Sequence, residues 1–152
     1  MRLRWWTAAM AALVLSVGTA VAAGPRIGEV KTAKGEAVVV RGGTRYAAKP
    51  GDPIYAKDVI ETGKDGSIGV TFVDNTVFSA GPNSEVALDR FRFDSSAAGA
   101  NDMLAEMRRG TLSVVSGDIT HGAPGALKIK TPTAVLGVRG TTFAVQVAGD
   151  SK

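Results

Sequence analysis

The sequence contains no cysteine and a single histidine, His121. The first absence excludes a disulfide framework, a thiolate zinc site, an iron–sulfur cluster, a cysteine nucleophile and a lipid-modified cysteine. The second excludes multi-histidine metal sites. Aromatic residues are scarce at 6%, so a groove lined by aromatic rings is hard to build. Charge of one sign is also missing, with 18 basic against 14 acidic residues in 152 and a net charge of +4. At 45% hydrophobic, the composition is globular and the length suits one domain.

The first 23 residues belong to another class of sequence. Arg2 and Arg4 make a short basic start, and Trp5 to Val17 is apolar apart from Thr7 and Ser16. Thr19 to Ala23 then offers small residues, with Ala20 and Ala22 in an A-x-A arrangement. This reads as a secretory signal peptide, residues 1–23, to be left out of fold reasoning. The alternative is an uncleaved anchor, since Trp5 to Ala23 approaches the ~20 apolar residues that span a bilayer. With Arg2 and Arg4 removed, the net charge falls to +2 and both tryptophans leave. Export and the absence of a basic stripe interleaved with aromatics argue against nucleic acid as a partner.

In residues 24–152, period-two patterns replace helical ones. Glu36 to Arg41 is β-branched and ends at Gly42-Gly43, a turn signal. Ser67 to Val73 alternates, placing Ile68, Val70 and Phe72 on one face, and Asp74-Asn75 reads as a tight turn into Thr76-Val77-Phe78. After Gly81-Pro82-Asn83-Ser84, Val86 and Leu88 share a face, whereas Phe91 and Phe93 fall on the other parity. A bulge near Asp89-Arg90 restores all four to one side. Met103, Ala105 and Met107 favour a strand over Asn101 to Arg109, although Asn101 could cap a helix. Further strands are expected at 111–115, 127–130 and 141–147. Gly28 to Val30 with Gly35 to Ala37, and Gly51 to Pro53 with Gly63 to Gly66, echo one another faintly, like stacked turns. The expected fold is all-β, one domain of many short strands, as a two-sheet sandwich or a β-solenoid or roll.

Few residues offer catalytic chemistry. His121 sits in a Thr-His-Gly-Ala-Pro turn, there is no G-x-S-x-G elbow, and an exposed turn histidine is the better reading. Asp52, Asp58, Asp65 and Asp74 stand at or near turns but lack the close spacing of a calcium loop. Turn aspartates more often bond the backbone two residues on. Gly137 and Gly140 flank Val138-Arg139. A phosphate loop would need a helix to follow, whereas Thr141 to Val145 is β-branched and aromatic, so a tight bend between buried strands is expected. Val135, Leu136, Phe143 and Val145 are available for the core.

The ordered set of these motifs resembles the FecR domain. It comprises Gly51-Asp52-x-Ile54, Asp58-x-Ile60-x-Thr62-Gly63, Gly66-x-Ile68-x-Val70-x-Phe72-x-Asp74-x-Thr76 and Gly81-Pro82-Asn83-Ser84. Arg109-Gly110-x-Leu112 and Thr131-Pro132-x-Ala134-x-x-Gly137-Val138-Arg139-Gly140-Thr141-x-Phe143 complete it. The resemblance implies a periplasmic β domain, residues 24–152, used in sensing or protein contact, with no catalysis and no cofactor. The family's founding member is a transmembrane regulator that relays ferric-citrate signals to a cytoplasmic sigma factor. Only Met1 to Arg4 precede the apolar segment here, so a stand-alone module without the anti-sigma region is expected, and iron is not carried over.

The resulting expectation is a sensory or regulatory adaptor acting by protein contact. Its partner would be a membrane-anchored or outer-membrane envelope protein, and the mature domain would not span the membrane. Gly137, Val138, Arg139, Gly140 and Thr141 form the candidate partner-binding or structural motif. The alternative is an envelope structural domain or one that binds carbohydrate or peptidoglycan.

Overall fold

The computed structural model describes residues 24–140 and 142–149. Residues 1–23, expected as a signal peptide, and Thr141 lie outside the described residues. Among the described residues twelve strands follow one another: β1 (Arg26–Lys34), β2 (Ala37–Arg41), β3 (Thr44–Ala47), β4 (Pro53–Tyr55), β5 (Val59–Thr62) and β6 (Ser67–Phe72). Then come β7 (Val77–Ala80), β8 (Glu85–Arg92), β9 (Asp102–Val115), β10 (Leu127–Lys130), β11 (Val135–Val138) and β12 (Thr142–Val147). Short 3₁₀ turns at Ala98–Ala100 and Asp118–Thr120 are the only helical pieces among the described residues.

All twelve strands belong to one sheet, in the order β3-β2-β5-β8-β9-β7-β6-β1-β4, with β10 and β12 added beside β9 and β11 beside β10. Strand β9 organises it. Its first half pairs with β8 on one side and, in parallel, with β10 on the other. Its second half pairs with β7 and β12, both antiparallel. Gly110 marks the change, with φ of +91°, and a Cβ there would overlap Ser84. Only glycine combines that backbone angle with that approach.

The two halves of the sheet curl towards each other over one core. Phe72 of β6 stacks on Phe91 of β8 with ring centroids 5.6 Å apart, and meets Phe78 edge-on at 4.9 Å. Val30, Ile54, Ile60, Val86, Leu112, Leu127 and Ile129 are fully buried around them, each large side chain contributing about 1.5–3 kcal/mol. The all-β expectation holds, in the form of a curled, mainly antiparallel sheet. Of the echoing glycine motifs, Gly28 to Val30 are not a turn, because they lie inside β1, paired across to β6, whereas residues 63–66 do form the turn between β5 and β6.

The parity arguments hold in detail. Ile68, Val70 and Phe72 are all buried, as are Met103, Ala105 and Met107. The register of β8 against β9 slips between Leu88 and Arg90, at the expected bulge. Asn75 takes the left-handed conformation, φ +67°, in the β6–β7 turn. One expectation fails. Val135 and Leu136 are 61% and 38% exposed: Val135 stands opposite the exposed Lys130, on the face away from Val138, and Leu136, opposite Ile129, lies on a strand that pairs only with β10 among the described residues.

Candidate functional site

Most of the motif residues are consumed by the fold. Asp58, Thr62, Asp74, Thr76 and Ser84 are polar yet buried, and burial of such groups is tolerated only when each is hydrogen-bonded. Thr62 Oγ1 donates to the Gly81 carbonyl at 2.6 Å and accepts the Ser84 N–H at 2.9 Å. Ser84 Oγ accepts the Thr111 N–H at 3.0 Å, beside the Gly110 bend. Asp74 Oδ2 accepts from the Thr76 hydroxyl at 2.5 Å and from the Ile119 N–H at 3.2 Å. Asp58 receives Arg41 and the Tyr55 N–H. These side chains pin turns to distant strands, and their chemistry is spent there.

The exception is the segment from Thr131 to Gly140. Thr131 closes the β10–β11 turn: its N–H donates to the Ala134 carbonyl at 2.8 Å, and its Oγ1 accepts the Ala134 N–H at 3.1 Å. This ribbon then runs in register, Leu127 opposite Val138 and Lys130 opposite Val135. Of β11 only Val138 is buried, at 4% exposure. Gly137 has no left-handed φ, and a Cβ there would meet nothing; it lies extended within β11, so the expected bend does not turn on it. Gly140 does need glycine, with φ of +58°. Arg139 is exposed and makes no ion pair among the described residues. Thr141 lies outside them.

Beside this ribbon is a cleft of about 540 Å³, lined by Arg108, Thr131, Pro132, Leu136, Val145 and Val147 among others. It forms where β10 has ended along β9, after Glu106, and β12 begins at Gly110, leaving residues 107–109 of β9 without a paired strand on that side among the described residues. Arg108 in its lining is held by carboxylates. Arg108 donates to Glu85 at 2.8 Å and approaches Glu106 at 3.5 Å, while Lys130 stands 3.7 Å from Glu106. The hydrogen bond to Glu85, helped by both carboxylates, raises the pKa of Arg108 and keeps it a fixed cation.

The charge pattern of this region escaped the motif reading. No acid occurs from Ile119 to Gly149, whereas Lys128, Lys130 and Arg139 do. A scan for sign asymmetry along the chain would have found it. Elsewhere, His121 is exposed in its turn with Nδ1 3.3 Å from Asp118. Among the described residues, no three histidine or carboxylate side chains converge as a metal site would require. No described helix is long and apolar enough to cross a membrane.

Residues 58–152 match the family model described as FecR protein. That span takes in the β10–β11 ribbon, the Gly110 bend and all five buried polar motif residues. No curated protein and no solved structure matches the chain.

Proposed function

This chain belongs to the FecR protein family, and we propose that it is a non-catalytic sensory and regulatory adaptor of the cell envelope. In this reading its first 23 residues are a signal peptide and the remaining domain works in the periplasm. Membership of the family points to a signalling and regulatory role, and the finer reading concerns where contact is made.

The observation that carries it is the outer edge of β11, which pairs with no further strand among the described residues. An unpaired edge strand presents a row of backbone N–H and C=O groups that another strand can complete. Here Val135 and Leu136, exposed at 61% and 38%, add apolar side chains on both faces. Arg139 follows immediately with its charge unspent. An extended segment of a membrane-anchored or outer-membrane partner would add to β11 as a further strand. The acid-free, basic stretch favours an acidic segment, and such complementarity raises the rate and specificity of association. Gly137 leaves room on β11 for a partner side chain.

A photo-crosslinking residue placed at Val135, and separately at Val73 on the exposed β6–β7 turn, tests this in cells. A discrete envelope-protein adduct from position 135 and none from 73 is expected. Equal labelling at both, or none at either, would contradict it.

The carbohydrate-binding alternative draws support from one further observation, a polar groove on the opposite side of the sheet order.

A further inference from the structure

The groove lies over β2 and β3 and has a volume of about 460 Å³, lined by Arg41, Arg45, Tyr46, Lys49 and Asp52 among others. Such a volume falls within the ~300–1,000 Å³ of small-ligand sites. All of these residues precede the family match, which begins at residue 58.

Its central feature is a guanidinium that cannot swing. Arg41 Nε and Nη2 hold the two oxygens of Asp58 at 2.8 and 2.7 Å, and Nη2 also donates to the Pro53 carbonyl at 3.0 Å. The Asp58 side chain is 1% exposed, against 32% for Arg41. The Tyr55 ring covers the guanidinium at 4.4 Å, with Tyr46 at 5.8 Å. The two hydrogens of Nη1 have no acceptor among the described residues, although Arg41 lines the groove.

Around this fixed donor stand three complementary groups. The Lys49 ammonium makes no ion pair among the described residues. Asp52 Oδ2 accepts the Lys49 N–H at 2.8 Å, leaving its other oxygen to accept from a hydroxyl. Tyr46 is 49% exposed, an aromatic platform where the sequence's few rings argued against one. Arg45 is neutralised by Glu61.

We propose that this groove binds a sugar unit bearing a carboxylate. Arg41 Nη1 and Lys49 would take the carboxylate, Asp52 a ring hydroxyl, and Tyr46 the apolar face of the ring. A planar guanidinium already held in place loses little freedom on binding, which favours carboxylate recognition. This inference stands independently of the β11 contact.

The test titrates the purified chain with trigalacturonate, with its neutral methyl ester, and with triglutamate, by calorimetry and by NMR shifts. Trigalacturonate is expected to bind, with shifts at Tyr46, and the ester and triglutamate to bind about tenfold more weakly or worse. Tyr46→Ala and Lys49→Ala, both at exposed positions, should each lower affinity about five- to tenfold with unchanged melting. No binding of trigalacturonate at concentrations on the order of 10 mM would overturn the proposal. So would equal binding of the ester, or of triglutamate with no effect of Tyr46→Ala.

Discussion

The hydroxyl of Thr76 donates to the carboxylate of Asp74 across 2.5 Å, and both residues are wholly buried. Asp74 Oδ1 also accepts the Thr76 N–H at 3.2 Å, and the Thr76 oxygen accepts the Gly117 N–H at 3.0 Å. The pair thereby ties the β6–β7 turn to the segment that follows β9, more than forty residues later. A sequence motif of the form Asp-x-Thr is here a long-range clasp.

Asp74→Ala should therefore destabilise the fold strongly. It strands the Thr76 hydroxyl, the Thr76 N–H and the Ile119 N–H in the interior, at about 1–3 kcal/mol for each donor left without water or partner. A loss of about 3 kcal/mol or more in urea unfolding is expected, with a melting shift of about 3–5 °C per kcal/mol. A change below about 0.5 kcal/mol would show that the clasp adds nothing.

The motif glycines separate into those the backbone demands and those it does not. Gly110→Val meets both a left-handed φ and Ser84, and should cost about 3 kcal/mol or more, or prevent folding. Gly140→Val meets open space but the same backbone penalty, about 1–3 kcal/mol. Gly137→Ala should stay within about 0.5 kcal/mol of the parent. Comparison of the three denaturation midpoints checks this, and a large loss at Gly137 would place hidden packing at β11.

The exported protein should carry no tryptophan. If residues 1–23 are removed, Trp5 and Trp6 go with them, and emission should come from Tyr46 and Tyr55 alone. Intact mass and fluorescence of periplasmic protein check this together. Tryptophan emission or a mass retaining the first residues would mean that the segment is kept.

Parity made much of the core legible beforehand. Ile68, Val70 and Phe72, and Met103, Ala105 and Met107, sit where alternation put them, and the β8 bulge was implied by the slip between Leu88 and Phe91. β1 and β3 to β5 were not foreseen. Arg26–Lys34 carries charges within its alternation, and Pro53–Tyr55 and Val59–Thr62 are too short for a period to declare itself. Sequence alternation also could not distinguish an inner strand from an outer one. Val135 and Leu136 have core chemistry, but as neighbours in β11 they point to opposite faces, and Val135 falls opposite the exposed Lys130. The Arg41 groove was invisible for a related reason: Arg41, Tyr46, Lys49 and Asp52 converge only after β2 and β3 fold back over the Asp58 turn.

The central claim is that the β11 edge and Arg139 form a contact surface. Arg139→Glu reverses a charge that has no internal ion pair among the described residues. The decisive measurement follows thermal melting and capture of the Val135-crosslinked envelope partner in parallel. Melting should stay within about 2 °C of the parent, while the crosslinked adduct is lost. A lowered melting temperature with capture following only the folded fraction would make Arg139 structural, and undiminished capture would remove it from the contact surface altogether.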